Sequence, residues 1–87
     1  MVSESLLHPS ILTIYGTKWC RDCHRTRLFL DQHKVTYRWI DLDEEPASAE
    51  WVKQINHGCS SVPTLIFPDG STLTEPDDNQ LKSKLNL

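Results

Sequence analysis

No stretch of this sequence is apolar for the length of a membrane span. Met1 to Ser10 have neither the basic start nor the long apolar run of a secretory signal, so a reducing cytoplasm is the expected compartment. Positive charge is not in excess. Nine Lys and Arg stand against twelve Asp and Glu, for a formal net charge of −3, which argues against a nucleic acid or an anionic membrane as partner. Cysteine is scarce: there are three, an odd number that paired structural disulfides do not use up. In a reducing compartment, closely spaced cysteines point to redox work or metal rather than to a stapled framework. Internal repeats, linkers and low-complexity segments are missing as well. With 87 residues there is no room for a second domain, and residues 1–87 read as one unit, expected to be a monomer.

What is present suits a small globular domain. Hydrophobic residues make up 38% and charged residues 24%. A chain of this size buries about 60–65% of its unfolded surface, so its core is modest. The charges are sorted along the chain. Lys18, Arg21, Arg25 and Arg27 cluster around two cysteines, while acids gather at Asp41, Asp43, Glu44 and Glu45, and again at Glu75, Asp77 and Asp78.

Ile11 to Tyr15 is a short β-rich run ended by Gly16 and predicts a buried strand. A helix is predicted from about Asp22 to His33, with Thr26, Phe29, Leu30 and His33 on one face. Val35 to Asp41 is the next extended run. Pro46 suits the first turn of a helix that runs through Trp51, Val52 and Ile55 and stops near Asn56-His57-Gly58, with Gly58 as cap. Thr64 to Phe67 predicts another buried strand. Asp69-Gly70 is a hairpin turn signal, and Ser71 to Thr74 makes the return strand. Pro76 is expected to open a last helix through Leu81 and Leu85. The order is β-α-β-α-β-β-α. A right-handed crossover makes the first two strands parallel, and the hairpin makes the last two antiparallel. The expected class is α/β, with helices on a four-stranded mixed sheet.

Cys20-Arg21-Asp22-Cys23 sits where the first strand gives way to the first helix. Disulfide exchange needs a thiolate to attack and a second thiol near enough to resolve the product. Cys20, at the helix start, meets the positive end of the dipole and unpaired backbone N–H groups, which favour the thiolate. Lys18 and Arg21 add to that and Asp22 opposes it. Cys23, one turn on, is expected to be more buried and to resolve. Other readings stay open on spacing alone. One is two ordinary buried cysteines; another is haem attachment through Cys20-Arg21-Asp22-Cys23-His24, which lacks an export context. Zinc held with His57 and Cys59, or an iron–sulfur cluster shared between subunits, would make the chain a metal-binding module on Cys20, Cys23 and Cys59. Cys59 otherwise reads as a small loop residue. Trp39 and Trp51 read as packing residues, and Trp19, beside Cys20, as a surface one.

These features together resemble the glutaredoxin family of the thioredoxin fold, and within it the mycoredoxin-like small proteins. The matching residues are Tyr15-Gly16-Thr17-Lys18-Trp19-Cys20, Cys23, Ile40-Asp41-Leu42-Asp43, Ser61-Val62-Pro63-Thr64 and Phe67-Pro68-Asp69-Gly70-Ser71-Thr72-Leu73. The resemblance implies a thiol–disulfide oxidoreductase with a minimal glutaredoxin-like fold, a cis bond before Pro63, and catalytic residues Cys20 and Cys23. It implies that the Val62 backbone pairs with an extended substrate opposite Cys20, and that Lys18 offers its charge to a substrate carboxylate, with Trp19, Arg21 and Pro63 alongside. Asp77 and Asp78 lie where glutathione-using members hold the γ-glutamyl end. No bound cofactor or metal is implied. The electron donor is a low-molecular-weight thiol of the glutathione or mycothiol type, or a flavin-dependent reductase, and the clients are disulfide-containing proteins. Arg21-Asp22 stands where such proteins commonly carry a proline, and Thr74-Glu75-Pro76 where paired glycines are usual.

Overall fold

The structure, a computed structural model, describes residues 8–58 and 61–87. Its elements are β1 (Leu12–Gly16), α1 (Arg21–Gln32), β2 (Tyr37–Asp41), α2 (Pro46–Ile55), β3 (Thr64–Ile66), β4 (Thr72–Thr74) and α3 (Asp78–Leu85). The four strands form one sheet in the order β2-β1-β3-β4. β1 runs parallel to β2 and antiparallel to β3, and β3 is antiparallel to β4. This is the mixed sheet expected from the sequence.

β1 is paired on both edges and buried at all five positions. That explains why its sequence is apolar without alternation: both sheet faces are covered. On one face Leu12, Ile14, Leu65 and Phe67 pack with Phe29 and Leu30 of α1 and Leu81 of α3. On the other, Tyr15, Ile40, Leu42 and Ile66 pack with Trp51 and Val52 of α2. Trp39 leans on the first cluster, under the Arg27 guanidinium at 4.2 Å from its ring centroid, a cation–π contact.

Several boundaries differ from the sequence reading. β1 begins one residue late, because Ile11 is 39% exposed. It extends to Gly16, which pairs with Asp41 and accepts the Leu42 N–H. His33 lies past the end of α1 and is exposed; its ring rests on Phe29 instead of entering the core. Cys23 takes its place on the buried face, with Thr26, Phe29 and Leu30. Phe67 is buried but lies beyond β3, with its N–H on the Ser71 carbonyl across the turn. α2 ends through left-handed His57 and Gly58, and the Gly58 N–H closes on the Lys53 carbonyl at 2.7 Å. Pro76 does not open the last helix. It is buried ahead of α3, whose cap is Asp77.

Candidate active site

The β1–α1 loop delivers Cys20 to the N-cap of α1. An N-cap side chain normally uses an oxygen to accept a free amide of the first turn. Here the Cys20 Sγ accepts the Cys23 N–H at 3.3 Å, and the Cys20 carbonyl accepts the His24 N–H. The sulfur therefore sits at the positive end of the helix, where negative charge is favoured. Cys20 is partly exposed and Cys23 is 1% exposed; both are free thiols.

Burial pushes the Cys23 thiol up to about 12, and the hydrogen bond with Cys20 pushes the same way. A backbone contact from Thr17 pulls weakly against this. Gly16 makes the close packing around Cys23 possible. A Cβ there would lie 2.6 Å from the Cys23 Sγ and 2.7 Å from the Trp39 ring, so any side chain at this position must displace both. Sequence reading treated Gly16 as a strand end. The role follows from a contact across the fold, which local pattern does not carry.

The segment from Ser61 to Pro63 faces the pair. The Val62–Pro63 peptide bond is cis, Pro63 is buried, and the Val62 carbonyl lies 3.9 Å from the Cys20 Sγ. Lys18 and Trp19 engage the loop after β2. The Lys18 ammonium pairs with Glu44 at 2.8 Å. Glu44, helped by Asp41 and Asp43, raises the Lys18 pKa above its ordinary value. Trp19 is 74% exposed, and its Nε1 donates to Asp43 at 3.1 Å. His24 is exposed, as the sequence suggests, and its ring meets the Lys18 carbonyl. Arg21 is exposed at the first position of α1.

Asp77 and Asp78 are already engaged. Asp77 and Gln80 form a reciprocal capping box, with the Gln80 N–H on Asp77 Oδ1 at 2.8 Å and the Asp77 N–H on Gln80 Oε1 at 2.9 Å. Asp78 pairs with Arg25 at 2.9 Å, and Arg25 also donates to the Pro76 carbonyl at 2.9 Å. Arg25 thereby ties the first turns of α1 to the start of α3, a role its place in the basic cluster did not reveal. Cys59 lies outside the described residues. Among the described residues no three His, Cys, Asp or Glu side chains converge as a metal site, and no helix is long and apolar enough to cross a membrane.

The geometry can be set beside known proteins. The glutaredoxin family model matches residues 12–71. A Mycobacterium tuberculosis protein named as a glutaredoxin is 43% identical over 74 residues, covering 85% of this chain and 88% of its own. Mycoredoxin 1 of Corynebacterium glutamicum is 40% identical over 67 residues, covering 77% and 82%. The crystal structure of a glutaredoxin from Archaeoglobus fulgidus superposes with a TM-score of 0.79 over 100% of this chain and 98% of that one, at 24% identity. The fold is thus shared with a solved glutaredoxin, and thiol–disulfide oxidoreductase chemistry is shared with the family. With its cysteine pair at a strand–helix junction and the match running from β1 to the hairpin turn, this chain belongs to the glutaredoxin family.

Proposed function

We propose that the protein reduces disulfides of client proteins, and their mixed disulfides with a low-molecular-weight thiol, through a Cys20/Cys23 dithiol. The observation that carries this reading is the Cys23 N–H donated to the Cys20 Sγ at the N-cap of α1. It gives the outer sulfur a backbone N–H partner at the attacking position, while burial keeps the inner thiol protonated. The Cys20 thiolate attacks one client sulfur, the client S–S bond breaks, and its other sulfur leaves as a thiolate. Cys23 then gives up its proton and attacks the Cys20 sulfur. The client is released with two thiols and the enzyme is left with a Cys20–Cys23 disulfide. Two electrons have passed from enzyme to client.

The substrate runs along Val62 and Pro63, whose backbone faces Cys20, with Trp19 and Arg21 flanking it. A substrate carboxylate reaches Lys18 by displacing Glu44. The engagement of Asp77 with Gln80 and of Asp78 with Arg25 leaves little for a γ-glutamyl group. That occupancy, and the similarity to mycoredoxin 1, favour a mycothiol-type thiol over glutathione or a flavin-dependent reductase as the recycling donor. The protein acts as a metal-free monomer in a reducing cytoplasm.

Cys20→Ser should lower disulfide reduction by on the order of 10³-fold or more, as expected for loss of a nucleophile. Cys23→Ser should leave client proteins trapped on Cys20, visible as mixed disulfides by mass spectrometry. Retained reductase activity in Cys20→Ser would overturn the assignment.

A further inference from the structure

Beside Cys20 lies a groove of about 230 Å³ lined by Thr17, Trp19, Leu42, Asp43, Ala49 and Val62. We propose that this groove seats a lysine or arginine side chain next to the disulfide-bonded cysteine of a client, so that the enzyme prefers clients with a cation at that position. The inference rests on the reading of Cys20 as nucleophile and deepens it by naming what the neighbouring surface recognises.

Position comes first. Trp19 precedes Cys20 in the chain, and the Val62 carbonyl is 3.9 Å from its sulfur. Both line the groove. A cysteine bonded to Cys20 therefore holds its chain neighbour at the groove mouth. Shape comes second. Leu42, Ala49, Val62 and the Trp19 ring give apolar walls, which suit the methylene stem of a long cationic side chain.

Charge then selects the head group. Asp43 is in the wall, and its carboxylate receives the Trp19 N–H, a neutral donor that leaves its charge uncancelled. Asp41 accepts the Asp43 N–H, also neutral. Glu44 holds Lys18. Lys18 is thus taken up by Glu44, and the Asp43 carboxylate in the groove wall is left for a cation from a client. An anionic side chain in the groove itself meets Asp43, and only a carboxylate long enough to reach past the groove to Lys18 finds a cation there.

The test uses six short peptides, each joined by a disulfide to glutathione through one cysteine. They carry Lys, Gln or Glu beside that cysteine, in versions before and after it. For the wild-type full chain, kcat/KM should be about fivefold higher for the better Lys peptide than for its Gln counterpart, the gain of one partly exposed ion pair, and lower again for Glu. The Lys preference should shrink as salt is raised. It should fall toward one in Asp43→Asn, which keeps an oxygen to accept the Trp19 N–H, and shrink in Glu44→Gln. Equal kcat/KM for all peptides in the wild type, or a Lys preference untouched in Asp43→Asn, would overturn the groove assignment while leaving the oxidoreductase reading intact. Failure to reduce any peptide would instead remove the reading on which it rests.

Discussion

Cys20 and Cys23 differ by three positions and by one environment each. The outer sulfur takes a backbone N–H at the start of a helix; the inner one is enclosed by Gly16, Trp39 and the body of α1. Burial lifts Cys23 from an ordinary 9.0 to about 12. At pH 7 it is therefore a neutral thiol, and it stays neutral until the pH approaches that raised value. Stability should therefore be unaffected by this thiol below about pH 9 and fall as pH rises from there toward about 12, where the unfolded chain ionises and the folded one does not. The expected chemical result is selective labelling. Iodoacetamide at pH 7 should modify Cys20 alone among the two, with Cys23 reacting only in urea, as peptide mapping would show. Equal labelling of both in the native protein would refute the inequality. The position of the pair was legible in the sequence, since a two-residue spacing at a strand–helix junction is a local pattern. The partners of Lys18 and Trp19 were not. Glu44 and Asp43 lie 26 and 24 residues on, and nothing local links them.

α3 shows what a short element needs. It has eight residues and one buried side chain, Leu81, and a helix of that length is marginal on propensity alone. Its first turn is held by the Asp77–Gln80 box, and the segment ahead of it by Arg25 on Pro76 and Asp78. The sequence carried the box in plain form, an Asp followed three residues later by Gln. The proline drew the helix start two residues too early, because proline is also common in a first helical turn. Asp77→Ala should lower the unfolding free energy by about 1 kcal/mol. Asp77→Ser, which keeps an accepting oxygen, should recover most of it in urea denaturation. A neutral Asp77→Ala would mean that the helix is held by its packing and by Arg25 rather than by its cap.

At the scale of the molecule, the sheet separates two small cores. Leu81 joins Leu12, Ile14, Phe29, Leu30, Leu65 and Phe67 on one side; Tyr15, Ile40, Leu42, Ile66, Trp51 and Val52 fill the other. Element order and strand directions were readable because handedness and hairpin rules leave few arrangements for β-α-β-α-β-β-α. Which helix covers which face was not, since helical periodicity says that a face is buried but not against what. That assignment has a consequence for α3. Its one fully buried side chain enters the same cluster as α1, which carries both cysteines. Leu81→Ala should cost about 2–5 kcal/mol, the range for a truncated buried leucine, out of a total of roughly 5–15 for a domain. The thermal midpoint should fall by about 4–8 °C for each kcal/mol lost. Because α3 has no second buried anchor, its amides should also lose hydrogen-exchange protection before those of β1, which is paired on both edges. If α3 and β1 amides in the variant instead open together at the global rate, the chain unfolds as one unit and Leu81 supports the whole sheet rather than the docking of a single helix.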